Sequence, residues 1–443
     1  MAEMRQTRRA FLGSAAAAGA GISLALSNAG ACARALGAND RISLAFAGVR
    51  SRGRVLIDSA LASGGDSVRV HALCDVDSNV LTEQAAAVTA STGRAPRTVK
   101  DFRRLLDDKD IDAVVIATPD HTHAPFAIHA MQAGKHVYVE KPCSHNPYEG
   151  ELLVRARNRY GRIVQMGNQQ RSAPTSIEAI SDIRDGMIGR PYLGKAWYSN
   201  TRGGIGRGAE SAVPEWLDWE LWQGPAPRRA YRDNVVHYNW HWFRHWGTGE
   251  INNNGLHEID ICRWALDAGY PQRVTSAGGR YHFDDDWEFY DTQIASFEFA
   301  GGRQITWEGR SCNGFAYFGR GRGATIHGTE GTVLLDRNGY FLYDHDGKLI
   351  KQMNERGASG TTDPVGEGAL DGYHLRNFFA AIRDGETLHS PIDDGHKSTL
   401  LCHLGNIAQH VGRSLRIDAG SGHIEDDREA MALWRRTYAP GWE

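Results

Sequence analysis

The sequence predicts an α/β protein in which a parallel sheet comes first and antiparallel strands follow. Three observations carry this. "RISLAFAGVRSRGRVLIDSAL", residues 41–61, reads as strand, glycine turn and helix. Short apolar strands then alternate with helical patterns as far as "GRIVQMGNQQR", residues 161–171. Beyond about residue 275 the rhythm changes to alternating strands joined by tight turns, as in "QIASFEFAGGRQITWEGRS". Strands separated by helices pair in parallel, and strands joined by two-residue turns pair antiparallel.

Ahead of this lies a leader. "TRRAFLG", residues 7–13, sets Arg8 and Arg9 before an apolar stretch from Phe11 to Leu26, with Arg5 upstream and Ala29, Ala31 and Ala33 behind. This reads as a twin-arginine export signal with A-x-A-like cleavage options. The stretch is rich in alanine and glycine, whereas a membrane span takes about 20 strongly apolar residues. Lipid attachment at Cys32 is the alternative, but it lacks a branched apolar residue upstream. With residues 1–35 set apart, about 400 remain, enough for two ordinary domains. We place these at 38–167 and 168–443. The net charge of −3 comes without a basic stripe, so no nucleic-acid partner is expected. No second apolar segment predicts a membrane span in the mature chain. The 6 cysteines form no CxxC pair or zinc-like spacing, so neither metal nor disulfide is expected.

The glycine turn runs from Gly48 through Val49, Arg50, Ser51 and Arg52 to Gly53. A second apolar run, "VRVHALC", leads into Asp75, at the spacing of about 20 residues expected for the acid that binds a ribose. This is the opening of a Rossmann domain. Glycines permit a tight turn, the helix N-terminus faces a pyrophosphate, and the acid accepts from ribose hydroxyls. Arg50 stands where the middle glycine of the motif belongs, and its guanidinium is placed to clamp a phosphate. A carboxylate at Asp75 would repel a 2′-phosphate, which favours NAD over NADP. Later strands carry residues to the same rim. "IDAVVIATP" ends in Thr118 and Pro119, "KHVYVEKP" in Glu140 and Lys141, and the next strand in Asn168. Ligands bind at such carboxyl ends. A lysine there, beside proline and partly desolvated, can have its pKa lowered toward use as a base.

"ATPDHTHAPFAIHAMQAGKHVYVEKP", residues 117–142, resembles the signature of the Gfo/Idh/MocA oxidoreductases, and the resemblance extends over nearly all of the mature chain. It implies a Rossmann domain followed by an α/β domain whose large, open, mostly antiparallel sheet faces the nicotinamide. It further implies that Lys141 lies beside the reacting carbinol, with Glu140, Thr118 and His123 shaping the cofactor site. Downstream, "GTGEINNNGLHEIDICRWAL" resembles the family's D-x-G-x-H-x-x-D motif with Asn253 in the first position and Gly255, His257 and Asp260 kept. A helix from about Leu256 would set His257 and Asp260 on neighbouring positions. Asn253 can neither take a proton nor hold negative charge, so a proton relay would run through Lys141 and His257. Lys141, His257 and Asp260 are the expected catalytic group.

Six of the 12 tryptophans crowd between Trp216 and Trp246. Trp216, Trp219 and Trp222 fall at helical spacing and are expected to pack. His237, His241 and His245 lie four apart, but without a carboxylate among them no metal is assigned. Tyr238, Trp240 and Trp242 suit a sugar, whose C–H faces pack on rings, with Arg171 and Asn253 as polar substrate contacts. In the second half, turns are expected at Glu330-Gly331 and Asn338-Gly339, a mobile loop at 354–372, and closing helices in "GYHLRNFFAAIRDG" and "HKSTLLCHLGNIAQHVG".

Outside the cytoplasm little free NAD exists. An exported Rossmann protein would therefore fold around its cofactor first and return the hydride to it in each cycle. Two reactions meet this. One oxidises a sugar hydroxyl and reduces a second carbonyl compound. The other is NAD-dependent glycoside hydrolysis by oxidation, elimination, water addition and reduction. A non-catalytic sugar-binding protein is a third reading, opposed by intact Lys141 and His257. A homo-oligomer built through the second domain's sheet is expected.

Overall fold

Six strands form an all-parallel sheet: β1 (Ile42–Ala47), β2 (Val68–Cys74), β3 (Arg97–Val99), β4 (Ala113–Ile116), β5 (His136–Val139) and β6 (Val164–Met166). Their order is β3-β2-β1-β4-β5-β6. The computed structural model describes residues 41–355 and 369–442. The arginine-led leader, Cys32 and most of the glycine-rich segment after Asn354 lie outside the described residues. Every residue of β1 and β4 is buried, as expected for strands with helices on both faces, so these strands read as continuous apolar runs. Strand order reverses between β1 and β4, and a crevice opens there beyond the carboxyl ends.

Nine strands form the second sheet: β7 (Pro191–Ser199), β8 (Arg273–Gly279), β9 (Thr292–Phe299), β10 (Arg303–Arg310), β11 (Arg322–Gly328), β12 (Gly331–Asp336), β13 (Gly339–Asp344), β14 (Leu349–Asn354) and β15 (Leu415–Arg416). The order is β14-β13-β12-β11-β7-β10-β9-β8-β15. Only the β7–β10 pair is parallel. The β9–β10 hairpin turns at Gly301 and Gly302, both with positive φ, as its Gly-Gly dipeptide demands. Helix Leu256–Ala265 packs against β7 and β11. It comes close because Gly194 has no side chain: a Cβ there would stand 2.7 Å from the Cys262 Cβ. Helix Ile392–Val411 packs on β8, on helix Pro147–Tyr160 and on β6, which ties the two sheets together.

The tryptophan-rich stretch forms a separate small core. Trp219 and Trp222 stack at 4.7 Å, with Trp246 edge-on to both. Among the described residues no helix is long and apolar enough to cross a membrane.

Burial has an acid-stability consequence. His374, His396 and His403 are buried, and desolvation pushes their pKa values down to about 4, about 4 and about 3. In the unfolded chain each would bind a proton below about 6.5. Between about pH 6.5 and 4 the unfolded state therefore holds more protons, and stability falls as pH falls. Urea midpoints should be lower at about pH 5 than at about pH 7.5; equal midpoints would contradict the neutral burial of these rings.

Candidate functional site

A cleft of roughly 500 Å³ opens at the β1–β4 reversal and runs toward the second sheet. Its first wall is the glycine turn. Gly48 has φ +78°, and a Cβ there would sit 2.6 Å from the Ala117 carbonyl oxygen. A Cβ on Gly53 would stand 1.8 Å from the Gly48 oxygen, so neither position admits a side chain. Helix Ser51–Gly64 starts without a capping side chain and without an acid in its first turn. Its first residues line the cleft, and amides at such an end suit an anion. Asp75 accepts from the amides of Val49 at 2.9 Å and Asp77 at 3.0 Å, and burial raises its pKa. The turn, the open helix end and this carboxylate together fit a dinucleotide.

Arg50 reaches the cleft exposed. Arg52 is engaged instead. Its Nε donates to Glu140 at 2.8 Å, and its two terminal nitrogens donate to Asp371 at 2.8 and 2.5 Å. Asp371 opens helix Ala369–Asp384, so this clamp fastens a C-terminal helix to the glycine-turn helix. Gln169 also donates to Glu140, at 3.2 Å.

The middle of the cleft is Lys141, carried past the end of β5. Its Nζ donates to the Asn253 carbonyl at 2.5 Å and lies 3.4 Å from the Asn253 Oδ1. Burial lowers its pKa, while Glu140 and Asp120 pull the other way. The buried Asn253 Nδ2 has no partner among the described residues. His257 stands one turn beyond Asn253, 7% exposed. Burial, with Arg337 and Lys141 adding to it, pushes its pKa well below the ordinary range, so the ring is neutral. His123 is fixed between the carbonyl oxygens of Thr118 at 2.6 Å and Pro142 at 2.7 Å. Tyr238, Trp240 and His241 form the far wall, with the Tyr238 hydroxyl accepting from Arg202 at 2.9 Å.

This arrangement, a glycine-turn dinucleotide cradle facing a desolvated lysine, agrees with comparisons to known proteins. Residues 42–168 match the oxidoreductase family's NAD-binding Rossmann fold, and residues 193–443 match its C-terminal alpha/beta domain. The chain belongs to the Gfo/Idh/MocA oxidoreductase family.

Relatives within it are distant. Levoglucosan dehydrogenase of Pseudarthrobacter phenanthrenivorans is 24% identical over 366 residues, covering 72% of this chain and 83% of that protein. An inositol 2-dehydrogenase of Acidothermus cellulolyticus is 27% identical, covering 67% and 72%. A glycosyl hydrolase family 109 protein of Shewanella pealeana is 30% identical, but over 44% of this chain and 46% of its own. Among solved structures, aldose-aldose oxidoreductase of Caulobacter crescentus superposes with a TM-score of 0.63 at 19% identity, covering 85% of this chain and 100% of that one. That likeness concerns the fold.

Against this Gfo/Idh/MocA frame, the expected site residues divide. Gly48, Arg50, Ser51, Arg52, Asp75, Thr118, Pro119, His123, Glu140, Lys141, Tyr238, Trp240, Asn253 and His257 all line the cleft. Five others lie elsewhere. Asp260 is 1% exposed and bound through both oxygens by Arg171, at 2.8 and 2.7 Å; it also accepts from Ser398. Arg171 donates onward to Asp394. The two form a buried ion-pair network outside the cleft lining, because Asp260, three residues after His257 on the same helix, turns to Arg171. Asn168 is buried with both polar side-chain atoms unpaired among the described residues. Trp242 is fully buried and stacked on Trp287 at 3.9 Å, in place of the sugar wall expected for it. Gly53 serves packing within the turn.

The histidine run does not converge. His237 pairs with Asp77, His241 contacts the Tyr238 carbonyl and His245 the Pro227 carbonyl. Three cleft residues carried no sequence signal. Asp371 shows its role only through long-range pairing with Arg52. Asp120 is buried against Thr248. Arg337 sits in a turn that reads only as a hairpin.

Proposed function

We propose that this protein oxidises a hydroxyl of a carbohydrate, with NAD held in the cleft as the hydride acceptor and retained between turnovers. The observation that carries this is the Lys141 ammonium. It is half-buried, its pKa is lowered by desolvation, and Asn253 holds it at the carboxyl end of a strand beside the glycine-turn cradle. When bound, the dinucleotide supplies the site that takes up hydride from the carbinol carbon. Lys141, once neutral, takes the hydroxyl proton; its lowered pKa makes that form accessible nearer neutrality. The Asn253 carbonyl aims Nζ and cannot itself accept the proton. His257, neutral and with no hydrogen bond among the described residues, is placed to pass the proton on. Tyr238 and Trp240 offer rings to the sugar's C–H faces. Levoglucosan and inositol dehydrogenases among the relatives support a polyhydroxylated substrate.

Asp75 sets cofactor preference in this reading. Asp75→Ala should weaken NAD binding and narrow the margin over NADP; titration of both dinucleotides measures this. Tighter NADP binding by the native protein would contradict the assignment.

A second reading keeps the same first step and adds cleavage. Oxidation next to a glycosidic bond acidifies a neighbouring C–H, so the bond can leave by elimination and the hydride then returns. The family 109 glycosyl hydrolase relative favours it. One experiment separates the readings. The purified protein is analysed by mass spectrometry for bound dinucleotide, then screened against sugars and glycosides with no NAD added. About one dinucleotide per chain with turnover of a sugar or glycoside supports retention and, by product, selects the reaction. A protein that arrives empty and works only with added NAD is an ordinary exchanging dehydrogenase. That outcome would also remove the reason we give for export of a folded holo-protein.

A further inference from the structure

Arg50 is exposed at the glycine turn, and of the arginines deeper in the site the exception to pairing lies at the second-sheet end. Arg52 is held by Glu140 and Asp371. Arg322 donates to both oxygens of Glu258, at 2.8 and 3.1 Å. Arg171 has Asp260 and Asp394. Each of these guanidiniums is neutralised by a carboxylate of its own. Arg337 lies in the turn between β12 and β13 and lines the cleft beside Asn338, Asn254 and His257. It makes no hydrogen bond or ion pair among the described residues. The neighbouring Asp336 is not its partner, since that carboxylate binds Arg320 at 2.6 Å and accepts from the Asn338 amide at 2.8 Å.

A partly desolvated cation without a hydrogen-bonded counter-ion is costly. Burial, with Arg322 and Arg52 nearby, pushes the Arg337 pKa down to about 10 against the opposing pull of Glu258 and Asp371. Arg337 also helps keep His257 neutral, and Lys141 acts on the same ring, so all three share one end of the cleft. The turn itself is firmly held. β12 and β13 pair in continuous register up to Asp336 and Gly339, so Arg337 and Asn338 project from a fixed hairpin.

We propose that Arg337 anchors the carboxylate of an acidic sugar, an aldonate or uronate, with the hydroxyl to be oxidised presented to Lys141. This rests on the reading of the cleft as a site of carbohydrate oxidation. The planar guanidinium fork matches a carboxylate in two parallel hydrogen bonds. Its nearest carboxylates, Glu258 and Asp371, are bonded to Arg322 and Arg52, so the Arg337 fork itself is open to a single monoanion. A phosphate dianion would call for a second free cation, and Arg52 and Arg322 are already neutralised. Asn338, beside Arg337 in the same turn, supplies a neutral hydrogen-bonding group next to the anion.

The test compares matched pairs, gluconate with glucose and glucuronate with methyl glucuronate, and adds glucose 6-phosphate. Native holo-protein and the variants Arg337→Met and Arg337→Lys are used. Binding is followed by calorimetry and turnover by product analysis. An acid should bind the native protein about ten- to a hundredfold more tightly than its uncharged counterpart. Arg337→Met should erase that ratio, Arg337→Lys should restore part of it, and both should keep the dinucleotide. Equal binding of acid and uncharged sugar overturns the inference, and so does a preference for the phosphate. Loss of dinucleotide from Arg337→Met would assign the guanidinium to the cofactor and overturn it as well. Should the acid bind through Arg337 without being oxidised, the anion site stands and the proposed oxidation falls.

Discussion

Replacing Lys141 with alanine is expected to lower turnover about a hundred- to ten-thousandfold while leaving the fold in place. Among the described residues the side chain's hydrogen bonds go to Asn253 alone, so its removal disturbs little packing. It leaves the glycine turn, Asp75 and the Arg52 clamp untouched, and bound dinucleotide should remain at its native level. The pH profile gives a second readout. Desolvation lowers the Lys141 pKa, so the native rate should rise with pH along a limb below that of an ordinary lysine. The sign follows from the base form being the active one. In Lys141→Ala that limb should vanish. Turnover within about tenfold of native, or an unchanged limb, would remove Lys141 from the mechanism.

The second large effect is on stability. Asp260→Ala should destabilise the protein by about 3–5 kcal/mol, because it strands a buried guanidinium. The Arg171 side chain is 5% exposed and would keep only Asp394 as an ion-pair partner among the described residues, and Ser398 would lose its carboxylate acceptor. The double variant Arg171→Leu with Asp260→Leu should recover part of the loss, since removing both charges avoids an uncompensated ion. Denaturant midpoints measure this. Native-like stability combined with lost turnover would return Asp260 to the catalytic role that its motif position suggested.

Local sequence carried the first domain well. Its strands are short, apolar and buried on both faces, and each ends in a residue type that means something at a carboxyl end. The glycine turn, Thr118, Glu140 and Lys141 could be placed on one rim because parallel-sheet topology places all such ends together. The second sheet was legible where turns punctuate it, at Gly301-Gly302 and Asn338-Gly339. Its central strand β7 was not read. "PYLGKAWYS" mixes proline, glycine and lysine with aromatics, and its pairing with both β10 and β11 is set by residues about a hundred positions away. The misplacements have a common cause. Helical spacing says which residues are neighbours, but not which neighbour faces the cleft; His257 does, and Asp260 turns to Arg171. Trp242 differs from Trp240 in the same way. The Arg52–Asp371 clamp joins residues 319 apart in sequence, beyond the reach of any local pattern.

The most direct test of hydride removal at this cleft follows a label. A sugar or sugar acid that the protein turns over is prepared with deuterium on the carbinol carbon and given to the holo-protein in ordinary water. The bound dinucleotide is then released by denaturation during turnover and weighed by mass spectrometry. Hydride transfer predicts deuterium on the reduced dinucleotide and a slowed rate with the labelled substrate, with the label appearing far more slowly in Lys141→Ala. Turnover that leaves the dinucleotide unlabelled, with deuterium released to water or retained on carbon throughout, would contradict the account.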